Sequence, residues 1–335
     1  EETHRSEWAQ LGVEEPAPFQ KPLLYAAQAK GLSTPVPTGK RIQGVLPYSW
    51  SLSDIIEQGL FRYLFSEEAF NNPNAAGFIT DVEEWLTDGT PESPRLKTQA
   101  GVPRTFEELL DFFRPKTGEA GTLFNETPSA TRAAFYRRLK YVVKEGDGVL
   151  RRQDEQGNPL RIPSTGTNQP IVIDLYALYR APSLQRFVVA AVFHQIMMAQ
   201  SSSQTTGLKY LITLDELNRF APRGGRDPIT EQIELVAAEG RSQGIILLGA
   251  QQQASLVSSR VIENCAIRAV GRSGTLELEH DLWKFLGSSA RRVASQLPPE
   301  DKLLYQPSFR EPMLVKMPFP PFALSAHDVW QDYTG

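Results

Sequence analysis

The sequence predicts an α/β fold in which helices flank a parallel β-sheet. Short apolar runs alternate with amphipathic helical patterns from residue 170 onward, which is typical of consecutive β-α-β units. Two of the apolar runs end in polar residues that suit phosphate chemistry, namely Asp215-Glu216 and Gln251-Gln252-Gln253. Because ligands bind at the carboxyl ends of strands in open α/β sheets, we expect both groups at one edge of the sheet.

Hydrophobic periodicity and turn residues give the order of the elements. Strands are predicted at 23–27, 170–175, 209–214, 245–250 and 266–271. Helices are predicted at 53–65, 78–86, 105–113, 129–144, 183–199 and 229–242. Ser129 is the expected N-cap of its helix, and Gly146 and Gly148 mark the end of that helix. His194 lies in a strongly apolar helix and is expected only to pack there.

The region 50–148 differs in character from the rest, because it contains helical patterns broken by loops. We therefore expect a helical subdomain at 50–148, inserted into a core that comprises 1–49 and 149–306. The polar segment 151–168 predicts an exposed loop or hairpin, and the Pro- and aromatic-rich segment 307–335 predicts a C-terminal arm.

The composition limits the classes of function. The formal net charge is −4, so any contact with nucleic acid must be local. Cys265 is the only cysteine, which excludes an internal disulfide, offers no metal cluster and fits a reducing cytoplasm. No stretch reaches the roughly 20 apolar residues of a membrane span, so we expect no membrane partner. The first residues are not those of a signal peptide and are typical of the middle of a protein.

The acidic pair is the strongest chemical signal in the sequence. One carboxylate can hold Mg²⁺ through water, and its neighbour can orient or deprotonate an attacking water. The alternative is an acidic pair that begins a solvated loop. The glutamine run at the end of the next predicted strand favours the catalytic interpretation, because a side-chain amide there can hydrogen-bond the attacking water or a γ-phosphate. A polar loop is the alternative for the glutamines.

Five arginines are further candidates. Arg219, Arg223 and Arg226 lie in a loop with two glycines and suit contacts with DNA phosphates, although a solvated loop is equally compatible with them. Arg241 follows a helix, where a cation is also favourable to the helix dipole. Arg272 follows a strand and could reach the γ-phosphate of a neighbouring subunit, with a structural salt bridge as the alternative.

Four segments resemble, in the same order, motifs of the HerA/FtsK group of RecA-like ATPases. The segment IVIDLYAL (171–178) is similar to the strand before the long helix, and LITLDELNRFAP (211–222) is similar to the Walker B segment. The segments AAEGRSQGIILLGAQQQAS (237–255) and VIENCAIRAVGR (261–272) resemble the two motifs that follow in that group. The resemblance covers residues 170–322 and implies a RecA-like fold, with the helical insert as a HerA-like feature.

The resemblance also implies roles for the candidate residues. Asp215 would ligate Mg²⁺ through water, Glu216 would polarise the attacking water, and Gln252 would sense the γ-phosphate. Arg272 would be the arginine supplied in trans, with Arg241 as the second candidate. The implied cofactors are ATP and Mg²⁺, and the implied assembly is a hexameric ring of identical subunits that moves double-stranded DNA. The loop 219–227 could then face the central channel.

Three features depart from that group. Asn218 stands where many relatives have His, and Ala254 replaces a proline. No G-x-x-x-x-G-K-[ST] phosphate loop occurs in the 335 residues, and the nearest string, 37–41, lacks the first glycine and the final Ser/Thr. We therefore expect the C-terminal portion of a longer motor ATPase, inactive in ATP hydrolysis on its own.

Two other interpretations remain open from the sequence. One is a non-catalytic ring or scaffold subunit that arrays a partner nuclease or another effector. The other is a secretion-coupling or conjugation ATPase, which shares all four motifs. The pathway, whether repair, conjugation or anti-phage defence, is equally open.

Overall fold

The computed structural model describes residues 9–10, 12, 22–37, 43–65, 67–91, 93–163, 169–202 and 210–318. Within them the chain divides into two compact units. Of the described residues, those within 22–251 and 256–261 form the first unit, and 9–10, 12, 252–255 and 262–318 form the second. Residue 209 of a predicted strand, residues 38–41 of the phosphate-loop-like string and residues 319–335 of the predicted arm lie outside the described residues.

The strands and helices are numbered here in chain order. The strands are β1 Leu23–Ala27, β2 Val45–Tyr48, β3 Thr87–Thr90, β4 Ser93–Leu96, β5 Ile171–Asp174, β6 Tyr210–Asp215, β7 Ile245–Ala250, β8 Arg268–Val270, β9 Asp301–Tyr305 and β10 Met313–Lys316. The helices are α1 Leu52–Glu57, α2 Glu67–Phe70, α3 Pro73–Leu86, α4 Phe106–Phe112, α5 Ala120–Leu123, α6 Ser129–Glu145, α7 Pro182–Ser202, α8 Pro228–Glu239, α9 Ser259–Asn264, α10 Thr275–Leu278 and α11 Gly287–Ala294. Short 3₁₀ turns occur at Phe61–Leu64, Tyr176–Leu178, Leu217–Arg219, Ala254–Leu256 and Asp281–Leu286.

The first unit is a mixed α/β structure with parallel strands, as predicted. One sheet has the order β2-β1-β5 and the other pairs β6 with β7, and every neighbouring pair in them is parallel. Helices lie against these strands. Tyr48, the last residue of β2, packs with Trp50, and Trp50 packs with Phe187 of α7. The Trp50 and Phe187 rings meet edge to face at 5.2 Å between centroids, which is a favoured aromatic geometry.

The two faces of the β6–β7 pair differ in burial. Leu214 and Ile245 point to the buried face. On the opposite face, Leu211, Ile246 and Leu248 remain 66%, 52% and 53% exposed, respectively. Parallel sheets normally have both faces covered, whereas among the described residues this apolar face is without the helix layer that such a sheet usually has.

The region predicted as a helical insert contains α1 to α6 and the β3–β4 hairpin. Its helices share an aromatic cluster in which Phe135 of α6 lies 5.4 Å from Phe78 and 4.8 Å from Phe113 between ring centroids. The ends of the region lie side by side, because the Trp50 N–H donates to the Val149 carbonyl at 2.7 Å and the Arg151 N–H donates to the Trp50 carbonyl at 2.8 Å. Its status as a separate domain stays a prediction.

The prediction for the start of α6 was wrong by one residue. Pro128 occupies the N-cap position, and no side-chain hydrogen bond caps the helix there. Ser129 is the first helical residue, since the preceding proline has a φ of −54° that already suits helix entry. The predicted end is confirmed, because Gly146 is the C-cap residue.

The second unit is built on an antiparallel sheet of order β10-β9-β8. The expectation that 266–271 adds a strand to a parallel sheet was therefore wrong. The side chains of Val270 and Leu303, which are partners in the register, enter a core with Trp283 and Leu286, and this packing decides the pairing of β8. Strand β10 belongs to the segment that the sequence assigns to the arm.

Within the described residues, no helix is both long and apolar enough to cross a membrane.

Candidate functional site

The acidic pair lies at the carboxyl end of β6, beside the end of β7. The register pairs Asp215 with Ala250, and Gln251 follows Ala250 directly. The prediction that the two strand ends emerge side by side from one sheet is confirmed by this parallel pairing. Asp215 is exposed and Glu216 is half-buried, so both carboxylates are accessible at this edge.

A left-handed residue turns the chain at the end of β6. Glu216 has φ 55° and ψ 49°, a conformation that costs a non-glycine residue about 1–2 kcal/mol. The Asp215 carboxylate accepts a hydrogen bond from the Glu216 N–H at 3.0 Å, which holds the turn. Such local strain is characteristic of functional sites, where the surrounding structure maintains it.

Packing after the turn depends on a glycine in the neighbouring strand. Leu217 is buried against Gly249 of β7, and a Cβ atom at position 249 would lie 2.5 Å from Leu217 Cδ2. The glycine therefore allows the turn that carries Glu216 to sit directly against β7.

Arg219 contacts the proposed catalytic carboxylate. Its Nε donates to Glu216 Oε2 at 3.2 Å, and both side chains are more than one-third exposed. An ion pair this exposed contributes little stability, so it restricts the direction of the Glu216 side chain without neutralising it permanently. The sequence suggested only a DNA contact for Arg219, because the i,i+3 contact depends on the 3₁₀ turn.

The loop 219–227 is anchored from the long helix α7 by Arg186. Its guanidinium donates to both carboxylate oxygens of Asp227 at 2.7 Å and also to the Arg219 carbonyl. Asp227 is 1% exposed and caps α8 by accepting from the Ile229 and Thr230 N–H groups. Sequence reasoning missed Arg186, although a single cation within the apolar run of α7 was a usable signal.

The other side of the same loop is fixed by the segment that follows the glutamine run. The Arg223 N–H donates to the Leu256 carbonyl at 2.8 Å, and the Ser258 N–H donates to the Ala221 carbonyl at 2.9 Å. Arg223 and Arg226 are exposed residues of this anchored loop.

The donor set fits a magnesium nucleotide better than a metal held by protein alone. Among the described residues, no group of three or more His, Cys, Asp or Glu side chains could hold a metal ion. Mg²⁺ prefers one or two carboxylates together with substrate phosphates, which is what Asp215 at an exposed strand end can provide. Within the same described part of the chain, the buried Gln251 Oε1 has no hydrogen-bond partner, so this side chain has unused capacity beside the acidic pair.

The remaining predicted site residues lie elsewhere in the chain. Arg241 is exposed in the turn after α8. Gln252 and Arg272 are exposed residues of the second unit, in the loops before Ala254 and after β8. Within that unit, Glu277 accepts from the Ser255 N–H at 2.9 Å, from the Ser255 hydroxyl at 2.5 Å and from Trp283 Nε1 at 3.1 Å. Glu277 therefore fixes the loop that carries Gln252, a role that no local pattern predicts.

Solved structures identify the fold. The chain is similar to the plasmid coupling protein TrwB in complex with ADP and Mg²⁺, with a TM-score of 0.57 and 12% identity over 91% of this chain and 75% of TrwB. An unbound form of TrwB lacking its N-terminal segment gives a TM-score of 0.56 and 13% identity, over 90% and 77% of the two chains. The chain has a RecA-like fold.

The other comparisons give no further information about the fold of this RecA-like chain. The genome packaging NTPase B204 from Sulfolobus turreted icosahedral virus 2, in complex with ATP-gammaS, matches with a TM-score of 0.33 and 10% identity, over 46% of this chain and 71% of B204. No protein-family model matches the sequence, and no curated protein is significantly similar to it.

Proposed function

We propose that the RecA-like chain is the C-terminal portion of a HerA-type motor that hydrolyses ATP with Mg²⁺ and moves along double-stranded DNA as a hexameric ring. The observation that carries this proposal is the pair Asp215-Glu216 at the carboxyl end of β6, beside the end of β7 and the glutamine run. This is the edge of a parallel sheet at which α/β proteins bind ligands.

Each residue of the site has a proposed task. Asp215 holds the magnesium ion through water, and the ion, when bound, neutralises charge on the nucleotide phosphates. Glu216 orients and polarises the attacking water, with its side chain guided by Arg219 at 3.2 Å. Gln252 senses the γ-phosphate. Arg272 stabilises the transition state from a neighbouring subunit, and Arg241 is the second candidate for that task.

The known structures support the cofactors and the class of motor. TrwB, described as a plasmid coupling protein, was solved with ADP and Mg²⁺. It has the same fold over most of this chain. We therefore propose a magnesium nucleotide as the ligand at Asp215, and duplex DNA as the polymer that Arg219, Arg223 and Arg226 contact.

We propose that the phosphate loop of this motor is supplied by sequence other than these 335 residues. A Gly-rich loop supplies backbone N–H groups and a lysine to the phosphates, and no such motif occurs in the sequence. The apolar face of the β6–β7 pair fits this proposal, because a helix that follows a phosphate loop would cover it. We expect no ATP turnover by the 335-residue chain alone.

The test is a Glu216→Gln substitution in the full-length protein. We expect steady-state ATP hydrolysis to fall at least about tenfold while nucleotide binding persists, because the amide cannot polarise the water. The matched control is Glu84→Gln, an exposed carboxylate of α3, which should leave turnover unchanged. Unchanged turnover in Glu216→Gln would remove Glu216 from its role, and hydrolysis by the 335-residue chain would refute the expected inactivity.

The competing function is a non-catalytic ring or scaffold subunit that arrays a nuclease or another effector. The absence of a phosphate-loop motif from the sequence favours it. ATP hydrolysis by the full-length protein distinguishes the two functions. A scaffold would bind its partner enzyme but hydrolyse no ATP, whereas a motor would hydrolyse ATP.

A conjugation-coupling ATPase is the third interpretation. The structural likeness to the plasmid coupling protein TrwB is the observation that supports it. Co-purification of the full-length protein with a membrane fraction would support a coupling protein, and DNA-stimulated hydrolysis by a membrane-free protein would support the HerA type.

A further inference from the structure

Helix α6 is positively charged, whereas the whole chain has a negative net charge. The helix contains Arg132, Arg137, Arg138, Lys140 and Lys144 but only one acidic residue, Glu145, in a protein whose formal net charge is −4. A cluster of positive charges on one helix is typical of a surface that binds an anionic partner.

Three of these cations lie in a row on the solvent side of α6. Arg137, Lys140 and Lys144 are exposed and are separated by three and four residues, which places them on one helix face. Tyr141, beside them, is 57% exposed. We call Arg137, Lys140, Tyr141 and Lys144 the α6 basic ridge.

The cations of the α6 basic ridge are not used to hold the fold. In the part of the chain that the structure describes, none of the three forms an ion pair, and Lys140 only approaches the Tyr136 ring, at 5.8 Å from its centroid. Arg132 differs, because its guanidinium donates to the carbonyls of Phe124 and Thr127. Like charges at this spacing repel each other along a helix, so the ridge does not stabilise the fold, and an anion bound there would relieve the repulsion.

The packing of α6 excludes insertion of this helix into a membrane surface. An amphipathic helix that inserts there buries its apolar face in the lipid. The apolar face of α6, formed by Phe135, Leu139, Val142 and Val143, is already buried within the protein. The ridge is therefore a charged surface without an accessible apolar side.

The spacing of the ridge suits a phosphodiester backbone. Successive cations are about 4.5 and 6 Å apart along the helix axis, at about 1.5 Å per residue. Duplex DNA presents a charge about every 1.7 Å along its axis, so several phosphates lie within reach of one such row. Tyrosine hydroxyls are also regular donors to phosphates and sugars.

We propose that the α6 basic ridge is a docking surface for the phosphate backbone of duplex DNA. This proposal rests on the proposed function for the choice of DNA as the polymer. It assigns DNA contact to the helical region 50–148, in addition to the arginines of the loop 219–227. Contacts of this kind carry affinity and salt dependence but no sequence specificity.

The test measures salt-dependent DNA binding by the full-length protein. A fluorescein-labelled 30-bp duplex is titrated at several salt concentrations, with anisotropy as the signal. The test variant is Arg137→Gln/Lys140→Gln/Lys144→Gln, and the control is Arg95→Gln/Arg292→Gln/Arg310→Gln, three exposed arginines outside α6. Glutamine is a good helix former, and circular dichroism before and after heating verifies that both variants fold like the wild type.

The expected result is specific to the ridge. Loss of three phosphate contacts should reduce the slope of log K against log salt by roughly 2.7 and lower the affinity at low salt at least tenfold. The control variant should keep the wild-type slope. A test variant that binds DNA like the control overturns this proposal alone, whereas a wild-type protein that binds no duplex overturns the proposed function as well.

A protein partner is distinguished in the same assay. Labelled polyglutamate replaces the duplex and serves as a model of an acidic polypeptide. If the test variant loses polyglutamate binding but retains the wild-type affinity for DNA, the ridge binds an acidic protein and the proposal is wrong.

Discussion

Glu216 is both the proposed catalytic carboxylate and the residue at which the chain turns at the end of β6. Its left-handed backbone, at φ 55°, ends β6 and directs the chain into the turn with Leu217 and Arg219. Hydrophobic patterning predicts where a strand ends but not this conformation, because only glycine and asparagine signal a left-handed residue in a sequence. The position of the carboxylates was predictable, and the strain that orients them was not.

A second residue, His194 of α7, is expected to make the stability of the protein depend on pH. Burial, followed by the charge of Arg62, lowers the pKa of His194 below its ordinary value. The ring lies beside Tyr63, at 6.1 Å between centroids. In the unfolded chain His194 binds a proton near pH 6.5, whereas in the folded protein it stays neutral until a lower pH. The unfolded state is therefore favoured as the pH falls.

We expect the free energy of unfolding to decrease as the pH falls through about 6.5 towards the lower pKa of the folded protein. His194→Gln should reduce this decrease, and the comparison of variant and wild type by urea unfolding between pH 8 and 5.5 isolates the histidine. Burial raises the pKa of Glu83 above its ordinary 4.5, so protonation of Glu83 favours the folded state as the pH falls. This effect is the same in the variant and the wild type and cancels in the comparison. Equal pH dependence in the two proteins would contradict the assigned role of His194.

Two elements are joined at the site by the pair of Arg186 on α7 and Asp227 at the start of α8. Arg186→Met leaves the Asp227 carboxylate, which is 1% exposed, without its cation. We expect a loss of about 3–5 kcal/mol in the free energy of unfolding, because a buried charge is then uncompensated. Urea denaturation of the 335-residue chain measures the loss.

The control for this prediction is an ion pair of the same chemistry in which the cation is exposed. Arg260, with a side chain 78% exposed, pairs with Glu234, whose side chain is 15% exposed, at 3.3 Å. Arg260→Met should cost less than about 1 kcal/mol. Similar losses in the two variants would mean that the Arg186–Asp227 pair does not anchor the loop.

The contact between α10 and the loop of Gln252 gives a prediction that does not require activity. Glu277→Ala removes the acceptor of the Ser255 N–H, so the hydrogen exchange of that amide should accelerate at least about tenfold. Glu277→Gln should retain slow exchange, because its amide oxygen accepts from Ser255 N–H and Trp283 while its amide nitrogen donates to the Ser255 hydroxyl. Equal exchange in the alanine variant and the wild type would show that Glu277 does not hold this loop.

Elements were predictable where a local pattern determines them and not where distant partners do. The apolar run 245–250 matches β7, and the helix predicted at 129–144 is α6, Ser129–Glu145. The pairing of β8 was not predictable, because it depends on a register in which Val270 meets Leu303. The Arg186–Asp227 contact likewise joins residues 41 positions apart, beyond the reach of any local pattern.

At the scale of the whole molecule, the candidate site supplies only one side of the proposed nucleotide-binding site. The carboxylates and the glutamine run follow two adjacent strands, whereas the phosphate-loop motif is absent from the sequence. The sequence and the apolar sheet face support the same proposal independently, since the sequence lacks a phosphate-loop motif and, within the described residues, the sheet face lacks a helix layer. A segment outside the described residues that supplies both would complete the site.

A thiol placed on the apolar sheet face tests whether such a segment covers it. In a Cys265→Ser background, Leu248→Cys introduces a thiol at a position that is 53% exposed in this chain. We expect rapid reaction with a thiol reagent in the 335-residue chain and at least tenfold slower reaction in the full-length protein, because a covering helix would bury the position. Leu214→Cys, on the opposite face at 8% exposure, is the control and should react slowly in both proteins. Equally rapid labelling of position 248 in both would mean that no additional segment packs on this face, and the full-length protein would then lack the helix layer that a phosphate loop requires.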